Sequence, residues 1–559
     1  MQNLQALKKP TVAYFSMEVG LSSDIPTYSG GLGILAGDVI KSSADLRLPL
    51  IAVTLMSRKG YFRQELTKEG KQIEHPEEWD PSKVMVLLPE RVEAQIQGRR
   101  VRVGAWLYDC CPRRVGGGKV PVLFLDTDVE GNAPEDREIT HFLYGGDERY
   151  RLKQEIVLGM GGVEMLEAFG YEIRRYHMNE GHSSLLTLRL LQKHGMDVGR
   201  VRNMCIFTTH TPVEAAYDKF PYDLVKEVMG EPVPLDFLKK LGGQDGLNVT
   251  LLALNLSEYI NGVSERHHKL TEEMFPGYEV QAITNGVYSF YWTCEHFRKL
   301  YNKYIPGWAN EPELLVRVDG VPDEEIWQAH VAAKRELIDY VNAVTKVGMD
   351  YEALTLGFAR RATAYKRANL LFSDVERLRK IGRRDGLQLI FAGKAHPKDE
   401  AGKKLIEEVF GYIEKLRGEV KAVYLENYDI EMAARLVSGV DVWLNTPLPP
   451  LEASGTSGMK AAHNGVINFS VLDGWWIEGW IEDVTGWAIG PASEESLTSE
   501  EKRTRELEDL YGKLEFIIAP RFYAEREEWI HMIKNSIGKI AYYFNSHRMM
   551  RRYATEAYV

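Results

Sequence analysis

The sequence predicts an α/β protein built from two domains with parallel sheets, and three observations lead to that prediction. In the second half, short apolar runs alternate with helical patterns, which is typical of parallel strands covered by helices on both faces. The first half shows the same alternation, interrupted by a β-rich insertion. The 559 residues exceed what one hydrophobic core organises, and the 44% apolar residues are enough to fill two cores.

The elements of the first half follow from hydrophobic periodicity and turn residues. Expected in chain order are a strand at 11–17, a helix from the glycines at 30–33 to residue 45, a strand at 50–55, a helix at 149–169, and strand-and-loop segments at 177–182 and 204–212. Short β-rich runs between residues 84 and 125, with turns at Gly98 and 116–118, predict an inserted antiparallel meander.

The elements of the second half alternate more regularly. Expected are strands at 354–359, 387–392, 420–426 and 440–446, and helices at 291–304, 366–381, 400–416, 430–437 and 459–464. We place the domain boundary near Val287, after the turn residues Asn285-Gly286. The predicted domains are 1–287 and 288–520, followed by a helical segment, 521–559, that packs back on the first domain.

Composition narrows the class of protein. The net charge of -11 argues against general binding of nucleic acid or anionic membranes. The four cysteines have neither disulfide-framework nor zinc spacing, so a reducing compartment is the default. We find no apolar run of membrane-spanning length and no signal-like N-terminus. We therefore expect a cytoplasmic enzyme.

The most informative segment is a loop of small residues between a predicted strand and a short predicted helix. It reads Pro-Pro-Leu-Glu-Ala-Ser-Gly-Thr-Ser-Gly-Met-Lys from Pro449 to Lys460. Small residues at a helix start leave backbone N–H groups accessible, and such groups bind anions at the positive end of the helix dipole. The loop therefore predicts a phosphate site. Lys460 itself could bind phosphate, hold a cofactor covalently, or lie on the helix surface.

A second basic cluster follows the predicted strand 354–359. Arg360-Arg361 and Lys366-Arg367 could clamp a dianion, because arginine offers a fork of donors and lysine a point charge. A solvated basic segment explains the same residues about equally well. With the loop at 449–460, however, this cluster supplies sites for two phosphates and a lysine for a cofactor.

Three further groups have plainer explanations. Gly30-Gly31-Leu32-Gly33 could hold a phosphate at a helix start, but most such turns are only tight turns. The histidines His177, His182 and His210 lack the usual metal-ligand spacing, so we predict no metal site. Four tryptophans could stack on sugar rings, although core packing is the simpler explanation for each: Trp475, Trp476, Trp480 and Trp487.

Four candidate residues follow four predicted strands of the second half. Arg360, Gly393, Tyr428 and Glu452 each lie in the loop after a strand. Ligands of parallel α/β sheets bind at the carboxyl ends of the strands. We therefore expect these four loops to form one site.

At this point the chain resembles a known family, the α-glucan phosphorylases, which act on glycogen, starch and maltodextrin. The matching segments, in order along the chain, are Gly30-Gly31-Leu32-Gly33, Lys153-Gln154-Glu155, 179–183, His210-Thr211, Thr284-Asn285-Gly286, Arg361 with Tyr365-Lys366-Arg367, Gly393-Lys394-Ala395, Leu425-Glu426-Asn427-Tyr428, and Glu452 to Thr456 with Met459-Lys460. One match could be chance, but this many in order, in both halves, are specific.

The resemblance implies the fold, the reaction and the partners. The fold would be two Rossmann-like domains facing each other across a cleft, the GT-B arrangement of glycosyltransferases. The reaction would be phosphorolysis of α-1,4-glucans from the non-reducing end, releasing α-glucose 1-phosphate with retention. Pyridoxal 5'-phosphate would be the cofactor, with its phosphate acting as general acid and base. The partners would be an α-glucan and inorganic phosphate, and the assembly a homodimer.

The resemblance also assigns roles to residues. Lys460 would hold the cofactor, with Thr456, Ser457, Arg360 and Tyr428 around it. The substrate phosphate would contact Arg361, Lys366 and the Gly31 backbone, and Gly30, Gly31 and Leu32 would face the substrate. The glucosyl unit would be bound by the residues Glu452, Ser454, Gly455, Asn285 and His210. Lys460, Arg361, Lys366 and His210 would be the catalytic set.

Some positions depart from the family pattern, and two alternative functions stay open. Longer members have Gly-Asn at Ser457-Gly458, a histidine at Thr363, an arginine at Asp429, and a lysine at Arg360. A glucan glucosyltransferase that uses a sugar nucleotide instead of phosphate would not need Lys460. A catalytically silent glucan-binding protein would be free to lose Lys460, Arg361 and Lys366, yet all three are present.

Overall fold

A computed structural model describes residues 10–112, 117–213, 217–491 and 497–559, and the chain divides into two compact units. The first unit comprises Met1–Phe62, Pro76–Thr284 and Met549–Val559. The second comprises Arg63–His75 and Asn285–Arg548. The second unit therefore includes a short segment that lies, in sequence, inside the first.

The strands and helices are as follows. The strands are β1 (Val12–Ser16), β2 (Leu50–Leu55), β3 (Arg63–Leu66), β4 (Gln72–His75), β5 (Val86–Leu87), β6 (Val92–Ile96), β7 (Arg99–Cys110), β8 (Val120–Asp126), β9 (Arg175–Asn179), β10 (Cys205–Thr208), β11 (Lys219–Phe220), β12 (Leu247–Asn248), β13 (Tyr259–Gly262), β14 (Gln281–Ala282), β15 (Thr355–Ala359), β16 (Gln388–Ala392), β17 (Lys421–Leu425), β18 (Val442–Asn445), β19 (Ile467–Val471) and β20 (Gly486–Ile489). The helices are α1 (Gly31–Asp45), α2 (Pro134–Arg137), α3 (Glu148–Ile156), α4 (Gly162–Ala168), α5 (Leu186–Lys193), α6 (Val198–Met204), α7 (Tyr222–Met229), α8 (Leu235–Gly242), α9 (Val249–Asn255), α10 (Glu265–Met274), α11 (Ser289–Trp292), α12 (Glu295–Tyr304), α13 (Asp323–Thr345), α14 (Val375–Asp385), α15 (Glu400–Leu416), α16 (Ile430–Gly439), α17 (Ser457–Ala462), α18 (Trp476–Gly479), α19 (Ser499–Lys513), α20 (Ala519–Ala524), α21 (Arg526–Asn535) and α22 (Ser546–Arg552).

The first unit contains a mixed sheet in the order β14-β13-β10-β9-β1-β2-β8-β7-β5, with β6 paired to β7. Strands β14 to β8 are parallel, and β7 is antiparallel to β5, β6 and β8. The predicted meander is thereby confirmed, except that β8 joins the parallel part. Gly98 forms the β6–β7 turn with a left-handed φ of +71°, whereas Gly116 lies outside the described residues.

Helices cover both faces of this sheet, which explains why the strands β1, β2 and β8 are buried along their whole length. Phe15 and Val53 pack into one core, while their neighbours Tyr14 and Ala52 pack into another on the opposite face. Successive side chains of a strand point to opposite faces, so a strand buried on both sides has no polar alternation.

The second unit contains a six-stranded sheet in the order β17-β16-β15-β18-β19-β20, and all neighbouring strands are parallel. Numbered within this sheet, the order is 3-2-1-4-5-6, the doubly wound arrangement that the sequence predicts. The order reverses between β15 and β18. In doubly wound sheets, ligands bind at the carboxyl ends of the strands beside this reversal.

The predicted helix at 366–381 is wrong in its first half. The segment forms two 3₁₀ turns, Ala364–Lys366 and Leu370–Phe372, and α14 begins only after Asp374, whose carboxylate accepts the Arg377 N–H. Arg367 has a left-handed φ of +49°, and its guanidinium donates to Thr446 O and to Glu506. These tertiary bonds hold the backbone out of a helix.

The C-terminal segment also differs from the prediction. Residues up to Arg548 belong to the second unit, and only Met549–Val559 packs in the first. There the Tyr558 hydroxyl lies 2.8 Å from His177 Nδ1, and Tyr553 packs in the same core as Tyr14. None of the helices in the described parts of the chain is long and apolar enough to cross a membrane.

Candidate active site

In the second unit, two cations and one carboxylate meet where the sheet order reverses. Arg360 directly follows β15, and Glu452 lies in the loop after β18. Arg360 Nη2 and Lys366 Nζ both donate to Glu452 Oε2, at 2.6 and 2.5 Å. Each of the three side chains is only about a tenth exposed. The sequence therefore correctly predicts that the loops after β15 and β18 meet.

This cluster has a net positive charge. Burial opposes ionisation of Glu452, but the positive charges of Arg360 and Lys366 outweigh it and lower the pKa of the carboxyl. Two cations therefore face one anion. Arg360 Nε and Nη1 are buried and have no hydrogen-bond partner among the described residues. Buried guanidinium donors need acceptors, and an anion such as phosphate would supply them.

The loop that carries Glu452 is fastened to the turn after β19. The Glu452 N–H donates to Asp473 Oδ2 at 2.9 Å, and the Trp475 N–H donates to Ser454 O at 2.9 Å. A Cβ at Gly474 would lie 2.3 Å from Ser454 O, so only glycine permits this contact. The Ser454 hydroxyl is buried and has no hydrogen-bond partner in the described parts of the chain.

Lys460 lies on α17, the short helix that follows this loop. Its side chain is 7% exposed, and Nζ lies 3.9 Å from the centre of the Trp292 ring. Asn464 Nδ2 donates to both Trp292 O and Lys460 O, which ties the lysine to the segment that carries the tryptophan. The amine is therefore held at one position and largely shielded from water.

His463 supports α17 as a neutral residue. Burial lowers the pKa of its imidazole to about 4. Nδ1–H donates to Met459 O at 2.8 Å, and Nε2 accepts from the Ser289 hydroxyl at 2.8 Å. Both ring nitrogens are therefore used within the protein, so His463 orients the helix and has no nitrogen left for a ligand.

The Ser457-Gly458 pair, which departs from the family pattern, has a steric explanation. A Cβ at Gly458 would lie 2.3 Å from Asn468 Oδ1 and 2.6 Å from the Trp475 ring. The Ser457 hydroxyl accepts from Trp443 Nε1 at 3.0 Å. Asn468, on β19, thus fills the space beside the loop and leaves no room for a side chain at position 458.

The remaining predicted residues of the second unit differ in burial. Tyr428 is half-buried; burial raises the pKa of its hydroxyl, and the charge of nearby Arg360 acts in the opposite direction. Thr456 precedes α17 without capping it through its side chain, and Arg361 is exposed. Asn285 Oδ1 is buried without a hydrogen-bond partner among the described residues.

In the first unit, the predicted residues also lie at carboxyl ends of parallel strands. His210 follows β10, and its Nε2–H donates to Asn179 Oδ1 at 2.7 Å. Burial lowers the pKa of His210 to about 3, so the ring is neutral. The His210 N–H donates to Glu180, which follows β9 and takes a left-handed φ of +73°. Non-glycine residues in this conformation are enriched at functional sites.

The glycines at 30–33 begin α1, as predicted. Glu18 accepts the N–H groups of Ser29 and Gly30, at 2.5 and 3.2 Å, and a Cβ at Gly33 would lie 2.7 Å from its Oε2. Gly31, by contrast, is exposed with open space where a Cβ would be. Sequence reasoning missed Glu18; the signal for it is a carboxylate two residues after a buried strand.

The histidines and tryptophans do not form separate sites. Within the described ranges, no group of three or more His, Cys, Asp or Glu residues is arranged to hold a metal ion. Trp475, Trp476 and Trp487 are buried in cores, and Trp480 is half-buried. Three of the four tryptophans therefore serve packing.

The fold and site together define an α/β protein whose second unit carries a buried cluster of two cations and a carboxylate, and a buried lysine, beside the order reversal of a doubly wound sheet. Residues 235–490 match the family model described as carbohydrate phosphorylase. The chain is 41% identical to the maltodextrin phosphorylase of Thermococcus litoralis, over 98% of this chain and 70% of that protein. It is 36% identical to the glycogen phosphorylases of Aquifex aeolicus and Mycobacterium tuberculosis, covering 86% and 70% of those proteins. The chain belongs to the carbohydrate phosphorylase family, which confirms the resemblance.

Proposed function

We propose that this protein catalyses the phosphorolysis of α-1,4-glucans, releasing α-glucose 1-phosphate with retained configuration. Relatives named maltodextrin and glycogen phosphorylase support the substrate class. The observation that carries the proposal is the cluster of Arg360, Lys366 and Glu452. It has surplus positive charge and two buried guanidinium donors without partners among the described residues.

Pyridoxal 5'-phosphate fits the residues of the second unit. Lys460 offers a buried amine, and Arg360 offers unpaired donors for a phosphate. When bound, the cofactor would supply a phosphate that serves as general acid and base. We propose that Lys460 attaches it, that Thr456, Ser457 and Arg360 bind its phosphate, and that Tyr428 lies against its ring. Gly31 belongs to the same proposed set.

Inorganic phosphate would be bound by Arg361, Lys366 and the backbone of Gly31. Gly31 suits a backbone contact because it is exposed and its N–H lies at the start of the 15-residue helix α1. Lys366 and Arg361 would offset the negative charge that phosphates bring into the site. Their charge would also stabilise the departing glucan oxygen in the transition state.

The glucosyl unit would be bound by polar groups that the protein leaves available. Ser454 Oγ and Asn285 Oδ1 are buried and lack partners among the described residues, so sugar hydroxyls can satisfy them. Glu452 and Gly455 would complete this set in the second unit. His210 is neutral and fixed by Asn179, which suits contact with an uncharged sugar; Gly30 and Leu32 would face the same substrate.

The experiment that tests this function is incubation of the protein with maltodextrin and inorganic phosphate, followed by measurement of glucose 1-phosphate. We expect product only when phosphate is present. Glucosyl transfer from a sugar nucleotide without phosphate would instead support the glucosyltransferase alternative. Glucan binding with no product under either condition would support the silent glucan-binding protein.

Three finer features stay predictions from the sequence. They are the GT-B arrangement, the homodimer and the cytoplasmic location. The predicted boundary near Val287 and the assignment of each site residue are likewise proposals, whereas the C-terminal segment that packs in the first unit is Met549–Val559.

A further inference from the structure

The segment Arg63–His75 is a β-hairpin that interrupts the sequence of the first unit but packs within the second. Its strands β3 and β4 pair in antiparallel register, with Leu66 opposite Gln72. Gly70 turns the hairpin with a left-handed φ of +80°, and a Cβ there would lie 2.5 Å from the Phe410 side chain. The hairpin is thus fitted closely against α15.

Gln64 on β3 holds the loop after β17. Its backbone N–H donates to Asn427 Oδ1 at 3.0 Å, and its Oε1 accepts the Asn427 N–H at 2.8 Å. Its Nε2 donates to Gly393 O, in the loop after β16, and to Gln72 Oε1, both at 2.9 Å. The side chain is 1% exposed, and every polar atom of its amide is used.

Gln72 on β4 holds the loop after β16. Its Nε2 donates to Ala395 O, and its Oε1 accepts the Ala395 N–H, both at 2.9 Å. The side-chain amide thus pairs with both the N–H and the C=O of one residue, as the backbone of a neighbouring strand would. The two glutamines therefore satisfy backbone groups of both loops and also bond to each other.

These two loops are the ones that place proposed cofactor-binding residues. Asn427 has a left-handed φ of +57° and directly precedes Tyr428. Gly393 backs onto Arg360, because a Cβ there would lie 2.1 Å from Arg360 O. A shift of either loop would consequently move the tyrosine or the arginine.

We infer that Gln64 and Gln72 are positioning residues, which fix the loops after β16 and β17 so that Tyr428 and Arg360 receive the anionic, aromatic cofactor. The inference rests on the proposed function. Buried amides suit this task because they supply donors and acceptors without adding charge beside an anion site.

The test compares Gln64→Ala with Glu65→Ala. Glu65 is the next residue on β3, and within the described residues its exposed carboxylate bonds to His75 alone, so this variant is a matched control. Purified proteins are stripped of cofactor and titrated with pyridoxal 5'-phosphate, following the absorbance and circular dichroism of the bound cofactor. We expect the concentration for half-occupancy to rise about tenfold in Gln64→Ala and to be unchanged in Glu65→Ala.

A double-mutant cycle with Tyr428→Ala separates positioning from general loosening. If Gln64 acts through Tyr428, Gln64→Ala should add little to the effect of Tyr428→Ala. Gln72→Ala, which leaves the Asn427 bonds in place, provides a second variant should Gln64→Ala fail to fold. We expect it to raise the half-occupancy concentration as well, with a smaller change in the cofactor's circular dichroism.

Three outcomes would overturn the inference or its premise. Equal titrations of Gln64→Ala and Glu65→Ala, with Gln72→Ala also unchanged, would contradict the positioning role. Full additivity with Tyr428→Ala would show that Gln64 does not act through that residue. If the unaltered protein takes up no pyridoxal 5'-phosphate, the proposed function fails instead, and the two failures are distinguishable.

Discussion

The carboxyl ends of the parallel strands carry different residue types in the two units. In the first unit, the carboxylates of Glu18 and Glu180 accept backbone N–H groups, and His210 is neutral. In the second, Arg360 and Lys366 share one carboxylate and leave guanidinium donors for a ligand. The first set suits uncharged hydroxyl groups, whereas the second suits phosphates.

This difference shows that the function of such a protein lies in the loops and not in the sheet. In the first unit, the candidate residues follow β1, β9 and β10. In the second unit, they follow β15 and β18. In both units they therefore lie at the carboxyl ends of parallel strands. What differs is the residue types that the loops bring. We expect the unit with the cationic cluster to bind the cofactor, and variants in each unit test this expectation.

Replacing Lys460 with alanine should have the largest effect. We expect phosphorolysis to fall by at least ~10³-fold, because the variant has no amine with which to hold the cofactor. The fold should persist, since Asn464 and His463 still fix α17. Product assays and thermal unfolding measure the two effects, with Lys404→Ala, at an exposed position of α15, as a control. Retained activity would refute the cofactor assignment.

Acidification should destabilise the first unit more than the second. In the first unit, burial lowers the pKa of four histidines, to about 3 for His177, His182 and His210 and to about 4 for His267. In the second unit, burial lowers the pKa of His463 to about 4. The unfolded chain binds protons from a pKa of about 6.5, so this stability is complete above that pH and is lost as the pH falls toward the folded values.

Each of these histidines can contribute up to about 1.4 kcal/mol per pH unit below 6.5, whereas the raised pKa of the buried Glu155 and Glu180 carboxyls in the first unit acts in the opposite direction. The four histidines outnumber the two carboxyls, so the first unit should still lose more stability than the second by pH 5.5. Hydrogen exchange followed by peptide mass spectrometry at pH 7 and 5.5 reports on each unit separately. Equal loss of protection in both units would contradict the expectation.

Replacing Arg360 with alanine should weaken cofactor binding about 100-fold, or about 2.7 kcal/mol, because charge-assisted hydrogen bonds to phosphate are lost and Glu452 keeps only Lys366. Equilibrium titration with pyridoxal 5'-phosphate measures this change. His210→Ala is the matched variant in the first unit and should leave the titration unchanged. A similar weakening in both variants would abolish the proposed division between the units.

Replacing Gly458 with alanine should have the smallest effect, a loss of about 2 kcal/mol in the free energy of unfolding. The new Cβ would press on Asn468 and Trp475, and overpacking of this kind costs about 1–3 kcal/mol. Denaturant unfolding measures the loss. Asn468→Ala should restore part of it in the double variant, and an unchanged stability of Gly458→Ala would show that the space is not tightly filled.

Much of the fold could be predicted because the decisive signals are local. Strands buried on both faces are mostly apolar, so the apolar runs at 50–55 and 387–392 are enough to predict strands there. The loop after β18 stands out because its small residues are unusual, and the cations after β15 follow a strand end. The family resemblance then assigns both segments to the binding of phosphates in one reaction.

The rest depends on contacts between residues distant in sequence. The helix expected from residue 366 fails because Arg367 bonds to Glu506 across 139 positions. The hairpin at Arg63–His75 joins the second unit through Gln64, whose partner Asn427 is 363 positions away. The steric need for Gly458 depends on Asn468 of another strand. No periodicity within a window of sequence reports such pairings.

The central claim is that Lys460 holds the cofactor of a glucan phosphorylase. The most direct measurement is borohydride reduction of the protein after incubation with pyridoxal 5'-phosphate, followed by peptide mass mapping. We predict one pyridoxyl group per chain, on the peptide that contains Lys460. Attachment at another lysine, or no attachment at all, would contradict the account.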